Sequence, residues 1–82
     1  MIERFYLVSF ESSQKAIQIE IAAKKIVAHA RLIPIPSEVH ANCGVGLKVG
    51  IEQFSKIEDL VDGLNVYEIE KIKNKRKVVR VV

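Results

Sequence analysis

Cys43 is the single cysteine of an 82-residue chain, and it stands in a polar, glycine-flanked stretch, His40-Ala41-Asn42-Cys43-Gly44-Val45-Gly46. Most lone cysteines are small buried hydrophobes. Here the neighbours are Asn42 and Gly44 rather than branched apolar residues, which favours an accessible thiol. A reactive thiol acts as its thiolate, and nearby donors or positive charge lower its pKa from about 8.5. Gly44 allows positive φ and close approach of the backbone. Backbone N–H groups from Gly44 to Gly46 could form an anion nest around a thiolate, a persulfide or a selenide. His40, three residues earlier, has a side chain suited to accepting a proton or keeping the surroundings positive. It reads equally as a surface histidine, and the residues alone leave Cys43 open between a nucleophile and plain packing.

Other chemistries lack their residues. One cysteine makes no internal disulfide, and with two separated histidines it makes no paired zinc spacing. The expectation is therefore no metal and no cofactor. Gly44-x-Gly46-x-x-x-Gly50 leads into an apolar, strand-like run rather than a helix, so it is no dinucleotide fingerprint. No serine-histidine-acid arrangement stands out. Glu38 reads as a solvated loop carboxylate. His29 reads as a cation at the end of the first helix.

The elements that must position Cys43 follow from periodicity. Phe5 to Phe10 is rich in aromatic and β-branched residues and reads as a strand. Ser12 or Ser13 can cap a helix over about 14–28. Ala16, Ile19, Ala23, Ile26 and Val27 form its buried stripe; Ile17 and Ile21, one turn apart, fall outside it and are read either as covered by a broad stripe, the favoured reading, or as exposed for a partner or dimer. Ala30 to Ile35 is a second strand, which lies at an edge or ends early because Pro34 and Pro36 cannot donate to a ladder. Ser37 to His40 is suited to a single helical turn. A third strand, Val45–Val49, follows Cys43. A second helix runs from Ile51 to Val61, with Gly63 as its terminating residue. Val66–Ile72 alternates with period two, and Val78–Val82 completes a hairpin.

The order β-α-β-β-α-β predicts an α+β, ferredoxin-like two-layer sandwich with a C-terminal hairpin arm. Residues 1–72 form one domain, and 73–82 form a basic arm or extra strand. A chain of this size buries only about 60–65% of its unfolded surface, so a homodimer would add stability. No apolar run reaches the roughly 18 residues of a membrane span, and Met1-Ile2-Glu3-Arg4 lacks a signal-peptide layout. The expected location is cytoplasmic, with no membrane partner.

The net charge of +3 is uneven. Six basic residues and no acidic ones follow Glu70, whereas the first 70 residues hold the other seven basic and all ten acidic side chains. A basic tail solubilises an exposed edge strand. It also leaves RNA binding as an option. The acidic body and a third strand without aromatics argue against nucleic acid.

Three blocks carry a resemblance. They are Ser9-Phe10-Glu11-Ser12 leading straight into a helix, Ala30-Arg31-Leu32-Ile33-Pro34-Ile35-Pro36, and Asn42-Cys43-Gly44-Val45-Gly46-Leu47-Lys48. Over about residues 5–70 the chain resembles a small bacterial and archaeal family of selenium/sulfur carrier-like proteins. That family has Arg-Leu-Ile-Pro-x-Pro and Ser-Cys-Gly-x-Ala/Gly-Leu-Arg/Lys patterns, so Asn42 departs where serine is frequent. The resemblance implies a carrier rather than a turnover enzyme. Cys43 would hold a persulfide or selenide, with Gly44, Gly46, Asn42, His40 and Arg31 around it. The partners would be a sulfur or selenium donor, such as a cysteine desulfurase, and an acceptor protein. The alternative is a regulatory or interaction module that dimerises, with an inert cysteine.

Overall fold

A computed structural model describes residues 2–35 and 44–81. It is a small α+β structure built on one five-stranded antiparallel sheet. The strands are β1 (Ile2–Ser9), β2 (Arg31–Pro34), β3 (Val45–Gly50), β4 (Asn65–Ile72) and β5 (Lys75–Arg80). Their order across the sheet is β2-β3-β1-β4-β5. Helix α1 (Ser13–Lys24) follows β1, and helix α2 (Ile51–Phe54) follows β3.

Strand β1 lies at the centre because its side chains are apolar on both faces. Tyr6, Val8 and Phe10 point to the helical side, where Val8 and Phe10 join Ala16, Ala23, Val27, Leu47, Val49, Ile57, Val61 and Val66 in the main core. Phe5 and Leu7 point the other way and form a smaller cluster with Ile69. Ile33, Ile35, Tyr67 and Val78 pack around that cluster.

Helix α1 starts where a serine hydroxyl meets an orphan donor: the Lys15 N–H donates to Ser12 Oγ at 3.2 Å. It ends at Lys24, four residues short of the expected Ala28. Ile26 thereby leaves the predicted stripe, and the two isoleucines beside the stripe are left uncovered. Ile26 lies beyond the helix and is exposed, and Ile17 and Ile21 are more than half exposed on its outer face. The buried contact comes from small residues, Ala16 and Ala23, which bring the helix close to the sheet. His29 lies five residues past the helix, too far to serve at its C-terminus.

The second helix is also shorter than its periodicity suggests. After one turn the chain passes through Ser55–Ile57 into a 3₁₀ segment, Glu58–Val61. The expected apolar residues still point inward, with Ile57 and Val61 buried. Burial at this spacing tolerates a break that periodicity alone does not reveal. The Phe54 ring meets Tyr6 edge-on at 4.6 Å. A cavity of about 440 Å³ opens beside them, lined by Leu64, Val66 and Val81 among others. Gly63 adopts φ +82°, so the turn into β4 uses a glycine where a side chain would be strained.

The C-terminal residues form a sheet strand rather than a free arm. β5 starts at Lys75 and pairs with β4 from Ile72↔Lys75 to Tyr67↔Arg80. Lys73 takes φ 56° to make the tight reversal.

A carboxylate ties α1 to β2. Glu20 Oε2 accepts the Leu32 N–H at 2.9 Å and lies 3.5 Å from Lys24 Nζ. Hydrogen bonds to charged groups contribute about 1.5–3 kcal/mol. Glu20→Ala is therefore expected to lower stability by about 1.5 kcal/mol in urea unfolding, with little change in m-value. An unchanged midpoint would show the contact to be incidental.

Candidate functional site

The described part of the candidate site lies where β2 ends and β3 begins. Pro34 pairs with Val45 and Ile33 with Gly46, while the Ile35 N–H donates to the Gly44 carbonyl at 3.0 Å. Pro34 lacks a donor and is the last residue of β2, and the Ile35–Gly44 hydrogen bond adds one further rung beyond it. Cys43, His40 and Asn42 lie outside the described residues, as do Pro36, Glu38 and the turn expected from Ser37 to His40.

Gly44 and Gly46 play different parts. Gly44 is exposed, and a Cβ there would meet nothing within 4 Å. Gly46 is buried in the middle of the sheet, paired with Ser9 on one side and Ile33 on the other. A Cβ at Gly46 would lie 2.8 Å from the Val8 carbonyl oxygen, 3.0 Å from Leu7 Cδ1 and 3.2 Å from Ile35 Cγ1. Val45 and Gly46 are thus extended ladder residues, whereas an anion nest needs alternating right- and left-handed turns. Gly46 instead serves close packing, which seats Ile35 and fixes the path of the chain next to Gly44.

Arg31 is brought to a different place. It pairs with Lys48, at the opposite end of β2 from the Pro34–Val45 pair. Three residues of strand, about 10 Å, separate it from Pro34. Arg31 and Lys48 line a cavity of about 550 Å³ with Glu3, Lys24 and His29. The Lys48 ammonium stands 4.5 Å from the Phe5 ring centroid, and Lys71 approaches the same ring at 6.0 Å. Glu3 Oε1 lies 3.5 Å from Lys48 Nζ. On the helical side Arg4 Nε meets Glu70 Oε2 at 2.9 Å, and the hydrogen bond and charge of Glu70 raise the guanidinium pKa above its ordinary value.

Sequence reading noted Lys71, Arg76 and Arg80 as part of a basic tail and Lys48 within the resemblance block, but did not place them with Arg31 on one face of the sheet. The signal was available in the period-two alternation of Val66–Ile72. It places Tyr67, Ile69 and Lys71 on one face and Val66, Glu68 and Glu70 on the other. Among the described residues no group of three or more His, Cys, Asp or Glu is placed to hold a metal ion. No described helix is long and apolar enough to cross a membrane.

No curated protein and no solved structure matches the chain. The profile of one family matches residues 5–74, from the start of the β1 core through the turn after β4. That span includes the Pro34–Pro36 segment, Cys43 and both glycines of the β3 entry. The chain belongs to the family described as Putative Se/S carrier protein-like.

Proposed function

We propose that the protein carries sulfur or selenium on Cys43. The family match over residues 5–74 is the observation that supports this reading most directly. In loading, the Cys43 thiolate attacks the outer sulfur of a donor persulfide. A new S–S bond forms at Cys43, the donor S–S bond breaks, and the donor leaves as its thiolate. Discharge repeats the exchange, with an acceptor thiolate as nucleophile. Neither step changes the total oxidation state, so no external oxidant or reductant is required. A cysteine desulfurase is a donor of the required chemistry. The chalcogen stays bound between the steps, so the protein acts as a carrier rather than a turnover enzyme. The site consists of Cys43, flanked by Asn42, Gly44 and His40, with Gly46 fixing the neighbouring strand. The strand order, with β5 added beside β4, supports a ferredoxin-like scaffold for that site.

Incubation with a desulfurase and cysteine is expected to add one sulfur atom to the protein by intact mass. Reduction or Cys43→Ser should abolish the gain. If a thiol-bearing control protein loads in parallel while this one gains no mass, sulfur carriage is refuted.

A second reading, an interaction module with an inert cysteine, draws on Ile17 and Ile21, 51% and 56% exposed one turn apart on α1. It requires a dimer that Ile17→Glu dissociates, and a Cys43 thiol that alkylates slowly in the folded state.

A further inference from the structure

The two faces of the sheet differ in charge. Paired residues of an antiparallel sheet share a face, so the register sorts every strand side chain. On the face away from the helices lie Arg31, Lys48, Lys71, Arg76 and Arg80, with Glu3. Glu3 is the single described acidic residue on that face. The other described ones lie in the helices, in their connecting turns or, like Glu68 and Glu70, on the helix-side face. The acidic character of the chain body therefore belongs to the opposite side of the molecule. The linear charge count hides this because neighbours such as Glu70 and Lys71 on β4 face opposite sides of the sheet.

The cations are spread out rather than gathered. Arg31, Lys48, Leu7, Tyr67 and Arg80 form one row across all five strands. At about 4.8 Å between strands that row is roughly 19 Å wide. Lys71 and Arg76 are paired about four residues further along β4. One small anion cannot touch cations so far apart, whereas a chain of phosphates can. Phe5 is buried beneath Lys48 and Lys71. Tyr67, by contrast, is partly exposed and stands next to Arg80 in the row. A partly exposed aromatic ring among dispersed cations is the combination that holds single strands, with bases stacking and phosphates paired.

We propose that this open sheet face binds single-stranded nucleic acid, with Arg31, Lys48, Lys71, Arg76 and Arg80 taking phosphates and Tyr67 stacking a base. The site uses residues outside the Pro36–Cys43 segment, so it stands or falls independently of sulfur carriage.

The test is fluorescence anisotropy of the full chain with labelled 12-nucleotide oligouridylate and oligothymidylate. Five phosphate contacts give a log–log salt slope of about −3.5, so affinity should fall about 100-fold between 50 and 200 mM salt. Paired Arg31→Gln and Lys71→Gln should weaken binding tenfold or more and flatten that slope. Tyr67→Ala should weaken it about tenfold, and Tyr67→Phe should restore it. Lys15→Gln with Lys56→Gln, on the helical side, should leave it unchanged. Tighter binding of oligouridylate would specify RNA, and equal binding would specify single strands of either sugar. The proposal is overturned if neither oligonucleotide saturates at 50 mM salt, or if the helical-side pair weakens binding as much as the sheet-face pair. Competition by polyglutamate as strong as by unlabelled oligouridylate also overturns it, in favour of an acidic protein.

Discussion

Gly46→Ala is expected to lower stability by about 2–3 kcal/mol, although it adds a single methyl group. The added carbon would lie 2.8 Å from the Val8 carbonyl oxygen, which is backbone in the central strand. Leu7 Cδ1 and Ile35 Cγ1 close the other sides at 3.0 and 3.2 Å. Overpacking of this kind costs about 1–3 kcal/mol where side chains can yield. Here the nearest neighbour is a ladder carbonyl between two paired strands, so the cost falls at the upper end. For a domain of this size each kcal/mol shifts Tm by about 4–8 °C. Gly44→Ala, two residues earlier, meets open space and should change Tm by only a degree or two. Thermal unfolding of the two variants side by side checks the claim. Equal shifts would show that Gly46 is no more tightly packed than Gly44. If Cys43 carries sulfur as proposed, displacement of Ile35 should also slow its loading in the Gly46 variant under conditions where the protein remains folded.

Leu7→Ala should cost about 3–4 kcal/mol, a large part of the roughly 4–12 kcal/mol available to a chain of 82 residues. Leu7 is fully buried, yet it faces away from the helices. Its burial shows that the open side of the sheet holds a hydrophobic centre of its own, with Phe5 and Ile69. If that cluster were loosely packed, truncation would cost well under 2 kcal/mol, as at an exposed site such as Ile21. Urea denaturation with a shared m-value separates these outcomes.

Much of the strand framework is legible in the sequence because a strand declares itself through a short repeat. Val66–Ile72 alternates strictly, and Phe5–Phe10 is apolar throughout because both faces of β1 are covered. Pro34 identifies β2 as an edge strand, which the strand order bears out. The helices are less legible. Ile17, Ile21 and Ile26 extend the apolar pattern of α1, but close approach is achieved by Ala16 and Ala23, and size rather than hydrophobicity decides which face is buried. The break after Phe54 leaves Ile57 and Val61 inward, so the apolar spacing of an unbroken helix persists without one.

The candidate site was legible in its residue types and less so in its geometry. Gly44 and Gly46 look alike as loop glycines, and only their neighbours across the sheet distinguish an open position from a crowded one. Arg31 is close in sequence to Pro34, yet a strand carries its side chain along the sheet toward Lys48. Cross-strand partners lie far apart in sequence, so the alternation of β4 places Lys71 on a face but cannot by itself assemble the basic row.

The Glu20–Leu32 contact bears on how these molecules can associate. An edge strand with free outward donors invites a strand from another molecule, the usual start of sheet-to-sheet aggregation. On β2 the outward-facing positions are Leu32 and Pro34, because Ile35 donates toward β3. The Leu32 donor is occupied by Glu20, and proline has none. Among its described residues β2 therefore offers no free outward donor to an added strand, which leaves β5 as the more open edge for self-association through the sheet. There a run of like charges from Lys75 to Lys77 would oppose its own copy.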